Sequence, residues 1–113
     1  MQFDPVLVSD WLTLTARHFP DKIALVSKGQ RLTYRQIEEK STNLASALVL
    51  MGFRKGDRAV ICLDNSPEAV ISIYGILKAG GVFTVIDHKS PWPVINSIIA
   101  DSRARLLITA RRK

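Results

Sequence analysis

The chain has 113 residues, a formal net charge of +6 and a hydrophobic content of 47%, values typical of one globular domain or of part of a larger one. This composition excludes a disordered or collagen-like protein. The longest strongly apolar stretch without charge, Ala69 to Leu77, is too short for a transmembrane helix, which needs about 20 such residues.

Two details of the sequence bear on where the protein works. The first residues contain no basic region of the kind that opens a signal peptide. Cys62 is the single cysteine, so no internal disulfide can form within one chain. Since free thiols are typical of reducing compartments, we expect the protein to be cytoplasmic.

The excess positive charge is concentrated towards the C-terminus. From Ala100 onward five basic residues stand against Asp101 alone, whereas residues 1–99 carry 11 basic and 9 acidic residues. We interpret residues 110–113 as a solvated basic tail. A nucleic-acid-binding module would spread its positive charge over a folded face, so that class is disfavoured.

The opening part of the chain predicts a helix followed by a β-hairpin. Apolar and small residues recur at helical spacing from Val8 to Phe19, and Pro20 ends this helix. The short apolar run 23–26 and the segment 31–33 are predicted to pair through a turn at Gly29.

A second helix, from Tyr34 to Met51, has the best local signals in the sequence. Thr33 and Gln36 have the spacing of a capping box. Gly52 stands where a helix ends in a left-handed backbone, and Phe53 can fold back on the last turns. The inward stripe is predicted to contain Ile37, Ser41, Leu44, Ala45 and Leu48.

From Arg58 onward strands and helices alternate. Strands are predicted at 58–63, 82–86 and 106–109, the first two buried on both faces. A helix capped by Ser66 runs to Lys78 or Ala79, and a stripe at 94–99 indicates another. The fold class is therefore α/β: an N-terminal helix and β-hairpin followed by a βαβαβ parallel unit. We treat residues 1–113 as a single, partial domain.

Polar residues follow two of these strands, where ligands of open parallel sheets bind. The candidates are Asp64, Asn65 and Ser66 after one strand, and Asp87, His88 and Ser90 after the next. Paired carboxylates could hold a metal or share a proton. The competing interpretation is helix capping and loop solvation, because each set precedes a helix start.

Phosphate binding at these turns is not indicated. Neither turn contains glycine, and Pro67 and Pro91 each remove a backbone N–H donor. The sequence has no Ser-His-Asp arrangement and no Cys-X-X-Cys motif. The residues themselves therefore assign no catalytic residue and no metal ligand, and leave cofactor-binding residues unknown.

Five sequence blocks, in order, resemble one family. The first two blocks are Phe19-Pro20-Asp21-Lys22-Ile23-Ala24-Leu25-Val26 and Leu32-Thr33-Tyr34-Arg35-Gln36-Ile37. The other three are Gly52-Phe53-Arg54-Lys55-Gly56-Asp57-Arg58-Ala59, Asn65-Ser66-Pro67-Glu68-Ala69 and Ile76-Leu77-Lys78-Ala79-Gly80-Gly81-Val82-Phe83. Together they resemble the N-terminal segment of the AMP-forming adenylating ligase superfamily. This superfamily contains acyl-CoA synthetases, acyl-AMP ligases and the amino-acid adenylation domains of nonribosomal peptide synthetases.

The resemblance implies a chemistry for the full-length enzyme. Such ligases activate a carboxylic acid with ATP and Mg²⁺, form an acyl-adenylate and usually pass the acyl group to a thiol such as that of CoA or a carrier protein. The family's phosphate loop, ribose-binding aspartate and catalytic lysine lie further along its chains and have no match here. The resemblance therefore implies an N-terminal fragment that is inert alone, and no site residue can be carried over.

One departure from the family pattern points to a subgroup. Where the family often has Val-Pro-Leu-Asp, this chain has Thr84-Val85-Ile86-Asp87. The similarity to members with Val-Ile-Asn favours acyl-CoA or acyl-AMP ligases over peptide-synthetase domains.

Two expectations remain open at this point. A small standalone α/β binding or regulatory module, such as a receiver-like domain using Asp64 and Asp87, is the alternative function, although the sequence offers no matching lysine at a strand end.

A truncated parallel sheet should also leave an apolar face or strand edge uncovered. We therefore expect self-association, or dependence on the remainder of the ligase chain.

Overall fold

The computed structural model describes residues 8–110 and confirms the predicted order of elements. The helices are α1 (Val8–His18), α2 (Tyr34–Leu50), α3 (Pro67–Lys78) and α4 (Trp92–Ser102), and the strands are β1 (Ile23–Ser27), β2 (Gln30–Thr33), β3 (Arg58–Cys62), β4 (Val82–Val85) and β5 (Leu106–Thr109). Of the predicted basic tail, only Ala110 lies within the described residues.

The hairpin forms through a two-residue turn. Strands β1 and β2 pair antiparallel, with Ser27 opposite Gln30. Lys28 and Gly29, between them, have φ values of 49° and 81°. Positive φ at both central positions matches the right-handed twist of the flanking strands, so the turn closes the hairpin without splaying it.

Both ends of α2 form as predicted. The Gln36 amide N–H donates to Thr33 Oγ1 at 3.2 Å, and the Thr33 N–H donates to Gln36 Oε1 at 2.8 Å. At the other end Phe53 N–H donates to the Leu48 carbonyl at 2.9 Å, while Gly52 takes φ 97°. These local bonds satisfy backbone groups that a helix otherwise leaves without partners.

The sheet of the second half contains three parallel strands in the order β4-β3-β5. The central strand β3 is buried on both faces, since residues 59–62 are at most 3% exposed. The prediction that 82–86 is buried on both faces is wrong. Val82 and Val85 are 51% and 50% exposed because β4 is an edge strand. The apolar pattern of a single strand does not reveal its position in the sheet, which is why the prediction failed.

The main core lies between this sheet and helices α2 and α3. It is formed by Leu48, Phe53, Ala59, Ile61 and Ile76. Side chains alternate between sheet faces, so Val60 and Cys62 point to the opposite side. Val60 and Cys62 are buried there, as is Ile95 of α4, which agrees with the general rule that right-handed crossovers on either side of a strand place successive helices on opposite faces.

Two predicted apolar stripes are narrower than expected. In α1 Leu12 and Ala16 are buried, but Trp11 is 68% exposed. In α4 only Ile95 falls in the buried class, and Val94 is 44% exposed. In both helices the outer part of the apolar stripe therefore stays in contact with solvent.

A polar network joins the first three helices. Lys78 Nζ of α3 lies 2.6 Å from Glu38 Oε2 of α2 and donates to Thr42 Oγ1 at 2.8 Å. Thr13 of α1 donates to Glu38 Oε1 at 3.0 Å. Glu38 Oε2 accepts no hydrogen bond of good geometry, so its contact with the ammonium is an ion pair. The network fixes how the three helices meet.

Within residues 8–110 no helix is both long enough and apolar enough to cross a membrane.

Candidate functional site

The polar loops after β3 and β4 meet at the C-terminal edge of the sheet. They line an open cleft of about 350 Å³ together with the ends of the two strands. Its lining residues are Leu63, Asp64, Asn65, Val85, Ile86, Asp87 and His88. The structure therefore brings together four of the six candidates, as expected for neighbouring parallel strands.

Asp64 is engaged by a residue that sequence reasoning missed. Lys28 Nζ, in the hairpin turn, donates to Asp64 Oδ2 at 2.7 Å. This hydrogen bond and the lysine charge lower the pKa of Asp64, and Asp64 in turn raises the pKa of Lys28. Both side chains remain well exposed to solvent, so the contact ties the hairpin to the sheet edge and contributes little stability.

The loop after β3 is organised around the start of α3. Ser66 Oγ accepts from the Ala69 N–H at 3.3 Å, which is the predicted N-cap. The same hydroxyl donates to the Asp64 carbonyl oxygen at 3.0 Å. Pro67 follows at the first helical position, where its missing N–H costs nothing. The capping interpretation is therefore correct for Ser66.

The loop after β4 is stabilised differently. Asp87 Oδ1 accepts the Lys89 N–H at 2.9 Å, and His88 Nδ1 lies 3.6 Å from the same oxygen. The Asp87 carbonyl accepts from the Ser90 N–H at 3.0 Å and from Cys62 Sγ at 3.6 Å. The carboxylate thus closes a turn through a backbone amide, as aspartate commonly does.

Ser90 does not cap α4, so the capping interpretation fails for this second loop. The N-cap position is Pro91, which makes no side-chain cap bond. The prolines at 91 and 93 preset the backbone of the entry instead, so the helix begins one residue later than the Ser-Pro pattern suggests.

The described cleft has the chemistry of structural loops. Among residues 8–110 no group of three or more His, Cys, Asp or Glu side chains is placed to hold a metal ion. The receiver-like hypothesis lacked a lysine near the acidic residues, and Lys28 does lie beside Asp64. This lysine comes from the hairpin turn, 36 residues away in sequence, and not from a strand end. No local signal could have identified this partner, since only the hairpin's position over the sheet edge creates the contact.

Comparison with known proteins shows the family to which the chain belongs. The family model described as "AMP-binding enzyme" matches residues 12–113. The chain belongs to the AMP-binding enzyme family. The match covers every described element from the buried face of α1 to β5, so the family relation extends to the whole fold.

Among curated relatives of this AMP-binding chain is bacitracin synthase 1 of Bacillus licheniformis. It is 42% identical over 90 residues, which is 80% of this chain and 2% of that protein. The chain thus spans a small fraction of the curated relatives that it matches.

Solved structures show the same fold. The N-terminal subdomain of Klebsiella oxytoca NpsA is 31% identical with a TM-score of 0.84, over 91% of this chain and 27% of that chain. NpsA is also known in an artificially fused adenylation–PCP di-domain, with a TM-score of 0.89 at 30% identity, over 95% of this chain and 20% of the fusion. The nonribosomal peptide synthetase FmoA3 (S1046A), in its AMPPNP-bound form, is 29% identical with a TM-score of 0.93, over 99% of this chain and 12% of that chain.

These relatives change one expectation from the sequence. The segment from Thr84 to Asp87 favoured acyl-CoA or acyl-AMP ligases, whereas these structures are of peptide-synthetase proteins. Three of those positions lie in or beside the edge strand β4. A four-residue pattern indicates the subgroup less strongly than a similarity that covers 95% and 99% of the chain.

Proposed function

We propose that the chain forms the opening α/β portion of an adenylation domain, in which a carboxylic acid is activated as an acyl-adenylate. The observation that carries this proposal is the agreement of fold with the NpsA N-terminal subdomain, at a TM-score of 0.84 over 91% of this chain. The family model, which matches residues 12–113, supports the same assignment.

The proposed reaction needs ATP, with Mg²⁺, and a thiol acceptor for the acyl group. The combination of an adenylation domain with a PCP domain in the artificially fused NpsA di-domain supports a carrier-protein thiol over CoA as the acceptor. The proposed role of this chain's residues is to hold the sheet and helices on which reacting groups from elsewhere in an adenylation domain depend. The cytoplasmic location and the receiver-like alternative stay predictions.

The first test measures the 113-residue chain by itself. We expect no ATP–pyrophosphate exchange with any amino acid or aryl acid, because the strand-to-helix turns offer no glycine-rich phosphate loop and the described residues offer no metal cluster. Exchange catalysed by the purified chain would overturn the proposal, since it would require a catalytic site within these residues.

The second test is a chimera. Residues 12–113 would replace the matching segment of the NpsA adenylation domain, and exchange with that domain's own substrate would be measured. We expect the chimera to fold and retain exchange. The control chimera carries Gly81→Val, which forces a side chain against the Phe53 ring and should abolish exchange through misfolding. A folded first chimera without exchange would contradict the proposed role.

A further inference from the structure

The N-terminal ends of the parallel strands carry a concentration of positive charge, which we call the basic edge. It consists of Arg54 and Lys55 in the turn before β3, Arg58 at the start of β3, and Arg103 and Arg105 before β5. All five residues are exposed. Of the five basic residues from position 100 onward, Arg103 and Arg105 therefore lie in the folded part of the chain and not in a tail.

Hydrogen bonds to backbone carbonyls tie the segments of the basic edge together. Arg105 N–H donates to the Arg58 carbonyl at 2.8 Å, and Arg58 Nη1 donates to the Ser102 carbonyl at 2.9 Å. Gly56 N–H donates to the Gly80 carbonyl at 2.8 Å. The segments that carry the five cations are thus bonded to one another, and the guanidinium groups of Arg58 and Arg105 are each held by one hydrogen bond. Groups that are already positioned lose less entropy when a partner binds.

Acidic residues do not balance this edge. Residues 8–110 contain 13 basic and 9 acidic residues, a net of +4. The five cations of the basic edge stand against Asp57 and Asp101 and so contribute +3 of this, while the remaining described residues contribute +1. Asp57 is already engaged, because it accepts from the Arg54 N–H at 2.7 Å and from Arg105 Nη1 at 3.3 Å.

A small apolar pocket adjoins the basic edge. Leu48, Met51, Phe53 and Leu106 line it, together with Gly52 and Arg105. Its volume of about 70 Å³ suits one aliphatic side chain. Met51, at the end of α2, is 75% exposed beside it, and a flexible thioether side chain adapts readily to an incoming apolar group. Arg105 thus belongs to both the charged and the apolar surface.

We infer that this surface binds an acidic peptide segment of another protein, with one aliphatic side chain in the pocket and carboxylates on the arginines. Four of the five cations are arginines, whose planar fork pairs with carboxylates in bidentate geometry. A single-stranded nucleic acid would instead require exposed aromatic rings for base stacking. Phe53, the one aromatic residue lining the pocket, is buried.

The experiment is fluorescence polarisation with the 113-residue chain and a short fluorescein-labelled peptide, in which one leucine is flanked on both sides by glutamates. Two further probes are the same peptide with serine for leucine, and a labelled oligothymidylate. The test variant is Lys55→Gln with Arg103→Gln. The matched control is Arg31→Gln with Lys40→Gln, which removes the same charge from another exposed part of the chain.

We expect saturable binding of the leucine peptide that weakens with added salt. The test variant should weaken it about tenfold, since each exposed charge pair contributes a few-fold, whereas the matched control should change it little. The serine peptide should bind more weakly than the leucine peptide. Absent binding, equal binding of the leucine and serine peptides, equal loss in both variants, or preferential binding of oligothymidylate would each overturn the inference.

Discussion

At the scale of single residues, the contact between Lys28 and Asp64 links two parts of the fold that the chain connects only through α2. The hairpin belongs to its own two-stranded sheet, and Asp64 follows the central strand of the other. Because this contact is exposed, it contributes little to the free energy of unfolding, and its main effect is to tie the hairpin to the edge of the sheet.

The pKa of Asp64 tests this contact directly. We expect Lys28→Gln to raise the pKa of Asp64 towards the ordinary value of about 3.9, measured by NMR titration of the carboxyl carbon. Because the folded-state pKa is lowered, the contact stabilises the fold above the unfolded-state value and is lost as the pH falls through the folded-state value. The matched control, Lys22→Gln, should leave the titration unchanged; an unchanged titration in Lys28→Gln as well would disprove the contact.

Gly81 is a second residue whose identity the packing requires. A Cβ built there would lie 2.5 Å from Phe53 Cε1 and 2.9 Å from Ile76 Cγ2. We expect Gly81→Ala to lower the free energy of unfolding by about 1–3 kcal/mol, measured by urea denaturation. In a double-mutant cycle with Phe53→Leu, the two losses should be less than additive, because the smaller side chain leaves room for the methyl group. Full additivity would mean that the ring is not the obstacle.

At the scale of elements, the junction of α1, α2 and α3 depends on one half-buried ion pair. The Lys78 side chain is 13% exposed and that of Glu38 is 24% exposed. We expect Lys78→Met to lower the free energy of unfolding by about 2 kcal/mol, because the carboxylate loses its partner at a poorly solvated position. The measurement is urea denaturation at neutral pH.

The control for this prediction is the double variant Lys78→Met with Glu38→Gln. Neutralising the carboxylate removes the unpaired charge, so the double variant should recover part of the loss. A double variant as unstable as the sum of the two single changes would show that the ion pair does not couple the helices.

Elements that depend on local chemistry were predictable from the sequence, and those that depend on neighbours were not. The Thr33 capping box and the Gly52 turn involve residues a few positions apart, so their spacing alone identifies them. By contrast, Val85 has the character of a buried strand residue but lies at an edge. Ser90 has the spacing of a cap but the helix begins at Trp92 with Pro91 as its N-cap.

At the scale of the whole molecule, the same distinction separates the two candidate surfaces. The cleft at the C-terminal strand ends was predictable because parallel strands bring their following loops together. The basic edge was not, because Arg54 and Arg105 are distant in sequence and bind the same carboxylate, that of Asp57, only when β5 pairs with β3. Charge counted along the chain therefore misplaced part of the excess.

Self-association is the prediction that belongs to this scale. The edge strand β4 presents unpaired backbone groups and two half-exposed valines, a combination that promotes strand pairing between chains. We expect sedimentation equilibrium to give an average mass above the 12.6 kDa of one chain. Introducing lysine at Val82 and Val85 should lower that mass. The matched control places lysine at Ile23 and Val26, which are 41% and 61% exposed on the hairpin, and should have less effect. A wild-type chain that sediments as a monomer would contradict this prediction.

The central position of β3 also has a consequence for biosynthesis. A ribosome releases Arg58–Cys62 before either neighbouring strand exists, and the second ladder cannot close until Thr109 has emerged. The most buried strand of the sheet therefore lacks both partners until β4 has emerged, and lacks one of them until β5 has followed. A nascent chain of this design therefore exposes to chaperones a binding segment that stays available until β5 has been synthesised.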